Sequence, residues 1–324
     1  MSGGRAPLRL PRLMARRLAG AVGTLFTASA LLFLAAEVLP GDAAAASLGG
    51  GADAGQIARM RAELGLDRPL VLRYLDWVGS ALDGDLGTST VSHRPVGELV
   101  TDPLLDTLLL VALSVLVTVA VATSVGVLAG LRPGSALDWL LSAGAVALVS
   151  IPQFVTASVL VLVFASALGV LPAVSLVPLG GSPLDDPAAL VLPVAALSLF
   201  SAAWASRMVR ASVVEAGRSP HVESARLAGL PEHRVVFRHL LPTTIGPCLQ
   251  AFAWLTGALV GGTAVVERVF NYPGLSAPLV SAVVNHDTAV LEGIGLLLSG
   301  AVVVSLLLAD LLDLVADPHG SVAR

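Results

Sequence analysis

Lysine is absent from this chain, so all nineteen of its basic residues are arginine. Beside so much alanine, leucine and valine, that bias reflects a GC-rich coding sequence more than a chemical need. Cysteine occurs once, at Cys248; this excludes an intramolecular disulfide or a cysteine-ligated metal cluster, and it reads as a small buried apolar residue. Aromatic residues reach only 4%, too few for interfacial belts to mark membrane boundaries. Charge is scarce too, at 13% of residues against about 25% in soluble domains. Apolar residues take its place. With 55% hydrophobic residues and a mean hydropathy of +0.85, the chain belongs in a bilayer.

Recognisable chemistry is missing in the same way. There is no His-Glu-x-x-His, no Gly-x-x-x-x-Gly-Lys and no nucleophile elbow. His93, His221, His233, His239, His286 and His319 are scattered through loops without ligand spacing. No catalytic residue, metal ligand or nucleic-acid contact is therefore assigned.

A hydrocarbon core about 30 Å thick needs roughly 20 apolar residues per spanning helix. Six segments qualify, at about 18–38, 104–130, 139–168, 189–209, 246–266 and 290–314. Arg5, Arg9, Arg12, Arg16 and Arg17 precede the first and place the N-terminus inside. Alternation then puts 207–245 and the C-terminus inside, and 40–103, 169–188 and 267–289 outside. The charges agree: thirteen arginines fall inside, and Arg207, Arg210, Arg218, Arg226, Arg234 and Arg238 crowd one short loop. Ala43 to Ala46 offers a leader-cleavage site. However, the apolar run before it is long, and Glu37 and Pro40-Gly41-Asp42 intervene, so the first helix is expected to be retained.

The chain thus divides into a cytoplasmic tail (1–17), a first span (18–38), an outer loop with short amphipathic helices (39–103), a five-helix core (104–316) and a cytoplasmic tail (317–324). In the outer loop, Ile57, Met60 and Leu64 share a helix face that Gly65 ends. Asp67 is the expected cap of a second helix, whose stripe Leu70, Val71, Tyr74, Leu75 and Val78 lies opposite Arg73 and Asp76. These helices suit either the membrane interface or the mouth of a pathway. Asp83-Gly-Asp-Leu-Gly87 reads as a turn. Pro152 and Pro193 fall inside spans and predict kinks, beside a pathway or simply for bundle packing. Gly126, Gly130, Gly257, Gly261 and Gly262 permit close helix approach.

No span has an ionisable residue near its middle; Asp106, Arg207, Glu267, Glu292, Asp310 and Asp313 lie toward the ends. Ion-coupled carriers keep buried charge for work, so an ATPase-independent carrier or channel is the weaker alternative. Attention falls on the polar stretch Arg207–Pro242 between two apolar segments. It predicts two short helices joined at Gly229, with Glu223 and Arg226 neighbours on the first and Pro231 opening the second. Val235, Val236, His239 and Leu240 share one face, Arg234 and Arg238 another, and Pro242 stops the pattern. Spacing alone also allows an amphipathic hairpin held on anionic lipid.

The stretch resembles the EAA loop of binding-protein-dependent ABC importer permeases. That pattern is Glu-Ala-Ala, three residues, Gly, nine residues, then Ile-x-Leu-Pro; here it reads Glu223-Ser224-Ala225, Gly229, then His239-Leu240-Leu241-Pro242. Ser224 and His239 depart from it mildly. Leu39-Pro40-Gly41-Asp42, Glu63–Leu70, Tyr74 with Trp77, Gly84–Gly87, Pro95-Val96, Ser150–Phe154, Arg238-His239, Val269–Gly274 and Asp317-Pro318 look, in that order, like the dipeptide, oligopeptide and nickel branch. The resemblance implies an all-α integral membrane protein with six transmembrane helices and a cytoplasmic coupling-helix loop. It implies a non-enzymatic subunit of an importer for peptides or related small solutes, nickel chelates included, in a bacterial cell membrane. Its implied partners are a second homologous permease, two ABC ATPases, an extracytoplasmic solute-binding protein and membrane lipid. ATP and Mg would be used by the ATPases, with no cofactor on this chain. The implied coupling residues are Glu223, Ser224, Ala225, Arg226, Gly229, Pro231, Arg234, Arg238, Leu241 and Pro242.

Overall fold

A computed structural model describes residues 9–38, 43–48, 52–63, 65–178 and 181–316. The expectations placed on Arg5, Leu64, Leu39–Asp42, Asp317-Pro318 and His319 lie outside these residues. The described chain is helical, with one isolated bridge, Thr88 to Pro95, outside the helices. In chain order the helices are α1 (Arg9–Val38), α2 (Ala43–Leu48), α3 (Ala54–Glu63), α4 (Leu70–Leu82), α5 (Val96–Gly130), α6 (Ala136–Ser150) and α7 (Gln153–Leu160). They continue with α8 (Pro187–Gly217), α9 (Pro220–Leu227), α10 (Glu232–Val235), α11 (Leu241–Phe270), α12 (Ser276–Val284) and α13 (Thr288–Ala316).

Among the described residues, five helices are long and apolar enough to cross a membrane: Met14–Val38, Val96–Gly130, Pro187–Gly217, Glu232–Phe270 and Thr288–Leu311. The third expected span differs. Rather than one kinked helix, α6 and the segment Gln153–Ala167 meet at 103°, a broken span or a re-entrant loop. Pro152 is the exposed residue at the break, just before α7. Pro193 instead lies buried within the unbroken α8. Its missing N–H frees the carbonyl four residues back, and that group, Ala189 O, accepts the Ser175 hydroxyl at 2.6 Å.

The chain separates into two compact units, residues 1–107 with 273–303 and residues 108–272 with 304–324. In the first, Val96, Val100, Leu275, Ala282, Val290 and Ile294 form the core. Gly293 lets α13 approach α5, since a Cβ there would stand 2.8 Å from the Val96 side chain. The Asp287 carboxylate, only 4% exposed, accepts the Ser89 hydroxyl and the Thr90 N–H (3.2 Å), pinning the outer loop to the start of α13.

The outer helices follow the sequence pattern with two corrections. α3 ends at Gly65, whose φ of +66° is left-handed. α4 is preceded by Pro69 with no side-chain cap, so Asp67 does not cap it. Arg73 also faces inward: it pairs with Glu37 at 2.9 Å and lies over the Phe33 ring. Beside it, Tyr74 and Trp77 pack edgewise and obliquely on Phe26 and Phe33 of α1, and the Tyr74 and Ser29 hydroxyls meet at 2.8 Å. Packing of Tyr74 and Trp77 on α1 therefore sets the inward face, leaving Leu70, Val71 and Leu75 of the stripe exposed.

In the second unit, α8 is the central element, packed by α6, α7 and α11. Gly126 and Gly130 make contact between α5 and α8 possible; a Cβ on Gly126 would stand 2.6 Å from the Ser206 carbonyl oxygen. Trp204 of α8 and Trp254 of α11 stack with ring centres 5.2 Å apart. Cys248 is half-buried rather than fully enclosed.

Candidate functional site

The stretch after α8 folds as a hairpin on the ends of α8 and α11. α9 begins with Pro220 at its first position, where a missing N–H has no consequence, and carries Glu223 in the first turn against the helix dipole. Val222 and Ala225 face inward and join Val209 and Val213 of α8 with Val235 and Leu240 in one cluster. Burying six small side chains makes the hairpin a fixed extension of two membrane helices instead of a tethered loop.

Gly229 ends α9 with φ +76°. Its N–H bonds the Arg226 carbonyl at 2.9 Å, and the Leu230 N–H reaches back to Ala225 O at 3.3 Å. Those two bonds are a Schellman ending, closed by apolar contact of Leu230 with the cluster. Nothing lies within 4 Å of where a Cβ on Gly229 would stand. Glycine is needed there for its backbone conformation, not for room.

The second limb differs from expectation. α10 is one turn, and the chain widens into a π turn at Val236–Leu240 before continuing as α11. Pro242 does not stop it: one apolar helical run extends from Glu232 to Phe270. The π turn just ahead relieves the clash of the Pro242 ring with the carbonyl four residues back.

Arg226 also has a different partner. Its Nη2 and Nε bond Glu232 at 2.8 and 3.3 Å, and its Nη1 bonds the Gly217 carbonyl at 3.1 Å. The Glu232 carboxylate raises the guanidinium's pKa above its ordinary value. One side chain thus ties α9 to the start of the α10–α11 run and caps an orphan carbonyl at the end of α8. Glu223, its expected neighbour, is exposed, as are Ser224, Pro231, Arg234, Arg238 and Pro242, while Ala225 is buried and Leu241 half-buried. The Ser224 hydroxyl bonds the Pro220 carbonyl at 2.8 Å. His221 Nε2 lies 3.3 Å from the His239 carbonyl oxygen, a further tie between the limbs.

Three residues, Leu227, Phe237 and Glu232, were missed by reading the sequence. Leu227 is 83% exposed and Phe237 73% exposed, large apolar side chains projecting from an otherwise anchored hairpin. For Phe237 a signal was present, since it falls outside the apolar face Val235, Val236, His239 and Leu240. Glu232 carried none, because six residues from Arg226 across a turn is not a helical spacing. Pro152 and Pro193 belong to other elements, away in sequence from this group. Among the described residues, no cluster of His, Cys, Asp and Glu could hold a metal ion.

Known proteins resemble this chain along nearly its whole length. Residues 122–320 match the family described as binding-protein-dependent transport system inner membrane component. Residues 10–110 match the N-terminal component of the same kind of membrane protein. A putative peptide transport system permease protein of Brucella suis biovar 1 is 32% identical over 307 residues, covering 95% of this chain and 98% of its own length. A glutathione transport system permease protein of Escherichia coli K12 is 34% identical over 303 residues, covering 94% and 96%. The crystal structure of an amino acid ABC transporter with histidines shares the fold at a TM-score of 0.50 and 19% identity, over 67% of this chain and 92% of that one.

Proposed function

The chain belongs to the family of binding-protein-dependent transport system inner membrane components, and we propose that its hairpin, residues 219–242, is the socket through which partner ATPases drive it. The protein is a multi-pass permease subunit of an ABC importer and not an enzyme. Subunits of this class work with ATPases and with a solute-binding protein. In the proposed assembly, this chain pairs with a second, homologous permease and two ATPases in a bacterial cell membrane. Both termini face the cytoplasm, as its arginines favour. ATP and Mg belong to the ATPases.

One observation carries the socket reading. The hairpin is locked to two membrane helices from within, yet it exposes Leu227, Phe237, Glu223, Arg234 and Arg238. Exposed apolar residues with a charged surround suit a protein groove, and rigid anchoring transmits a push. Arg226 joins the reading in another role, holding the hairpin together instead of touching the partner. Closure of the ATPases would move the hairpin as a rigid body and drive the ends of α8 and α11 to which it is anchored.

The solute is a small peptide or a peptide-like compound, by the names of relatives that match nearly the full chain. The test is the complete importer in proteoliposomes. Glu223→Lys and Gly229→Asp are expected to keep membrane abundance near normal while transport falls relative to ATP hydrolysis. Normal transport by both variants removes the proposal. Peptide binding by the cognate binding protein checks the solute separately.

A further inference from the structure

The broken helix pair lies outside the hairpin, yet its base and its break are both held against the helices that carry the hairpin. At its base, Asp138 is only 4% exposed and accepts Arg210 of α8 through both carboxylate oxygens, with Nη2 at 2.7 Å. The Gly134 N–H at 2.8 Å and the Ser142 hydroxyl at 3.2 Å complete its partners. A part-buried ion pair adds little stability over apolar packing, but a two-pronged guanidinium–carboxylate contact fixes an angle. Here it fixes how α6 leaves α8.

At the break, the chain is stitched rather than frayed. The Ile151 N–H returns to Leu148 O, and the Pro152 carbonyl accepts the N–H groups of Val155 and Thr156. Backbone left open at membrane depth needs protein or water around it, so the joint is built to keep its shape. The first residue beyond it, Gln153, is half-buried against α11. A Cβ on Gly262 would stand 3.2 Å from Gln153 Oε1 and 3.6 Å from Nε2. Glycine at 262 is what lets a polar tip seat there.

We propose that Asp138 and Arg210 are positioning residues for transport: they hold the α6–α7 joint so that Gln153 closes against Gly262. Relative movement of α8 and α11 then withdraws the tip. Arg226 grips both helices at the hairpin, through the Gly217 carbonyl and Glu232. Displacement of the hairpin thus enters α8 below Arg210 and α11 below Gly262. This rests on the hairpin being the ATPase socket.

The experiment uses the complete importer in proteoliposomes, with Cys248→Ser as background and Gln153→Cys as reporter. Labelling by a membrane-impermeant maleimide is compared between nucleotide-free and vanadate-trapped states. Without further changes, labelling is expected to differ by about fivefold or more between the states. Asp138→Asn and Arg210→Lys are each expected to abolish that difference while the chain reaches the membrane. A merely structural role would lower abundance and leave the difference intact in the surviving protein; that result overturns the proposal. If Gly229→Asp uncouples transport while Asp138→Asn keeps the labelling difference, only this inference falls. If Gly229→Asp transports normally, the socket reading falls with it. Should Asp138→Asn fail to assemble, Gly262→Val probes the tip: slowed transport relieved by Gln153→Ala supports the proposal, and unchanged transport overturns it.

Discussion

Gly229 offers the cleanest separation of backbone from contact. Its φ is +76°, two bonds of the Schellman ending depend on it, and a Cβ there meets nothing within 4 Å. Substitution therefore adds conformational strain without a clash inside the chain. A left-handed alanine costs about 1–2 kcal/mol relative to glycine, asparagine markedly less, and a β-branched residue more. For Gly229→Val, partial loss of the two bonds adds about 0.5–1.5 kcal/mol each. At roughly 1.4 kcal/mol per tenfold, alanine raises the population of hairpins lacking the native turn by about 5- to 30-fold, and valine raises it further. The assay is the ratio of solute transported to ATP hydrolysed in proteoliposomes, alongside limited proteolysis of the hairpin. The expected order of damage is Asn, then Ala, then Val. Equal tolerance of Asn and Val, or Asn as harmful as Val, would refute the conformational argument.

Three further expectations follow from particular contacts. Arg226→Ala releases the ties to Glu232 and Gly217; with side chains 42% and 62% exposed in the ion pair, the loss is about 1 kcal/mol after screening. It should uncouple transport more than that small loss of thermal stability suggests, with Arg226→Lys intermediate. Gly126→Ala pushes a methyl to 2.6 Å from the Ser206 carbonyl oxygen and is expected to destabilise by about 1–3 kcal/mol. Gly261→Ala, with open space around it, should be neutral or gain up to about 1 kcal/mol of helix propensity; thermal unfolding in detergent, followed by tryptophan fluorescence, compares the two. Asp287→Asn weakens the clasp on Ser89 and Thr90 and costs about 1–3 kcal/mol. Faster proteolytic cutting within residues 88–95, with the hairpin unchanged, is its signature.

The membrane architecture was readable because it depends on local sums. A window of apolar residues either matches the bilayer or does not, and five of the six expected spans recur as long apolar helices. Glycine at positions 65, 84, 87 and 229 was readable for a similar reason, since a left-handed φ is a local demand. The third span misled because proline at 152 signals an interruption without its angle. Whether a helix bends or turns by 103° is set by what the two arms pack against, here α8 and α11. Pro242 misled in the opposite direction, because a π turn before it let the helix continue.

The same division runs through the hairpin. Residue order alone determined that a basic helix–turn–helix lies between two membrane segments, which face of its second limb is apolar, and where the turn must be. Those are properties of periodicity and of one glycine. Only the tertiary structure decided that Arg226 takes Glu232 and the Gly217 carbonyl instead of Glu223, that Arg73 faces α1, and that Asp138 meets Arg210. Each of these pairs joins residues whose spacing has no helical meaning. A charge chooses its partner by distance in the folded chain and by the cost of leaving a buried group unpaired, and neither is written in the local sequence.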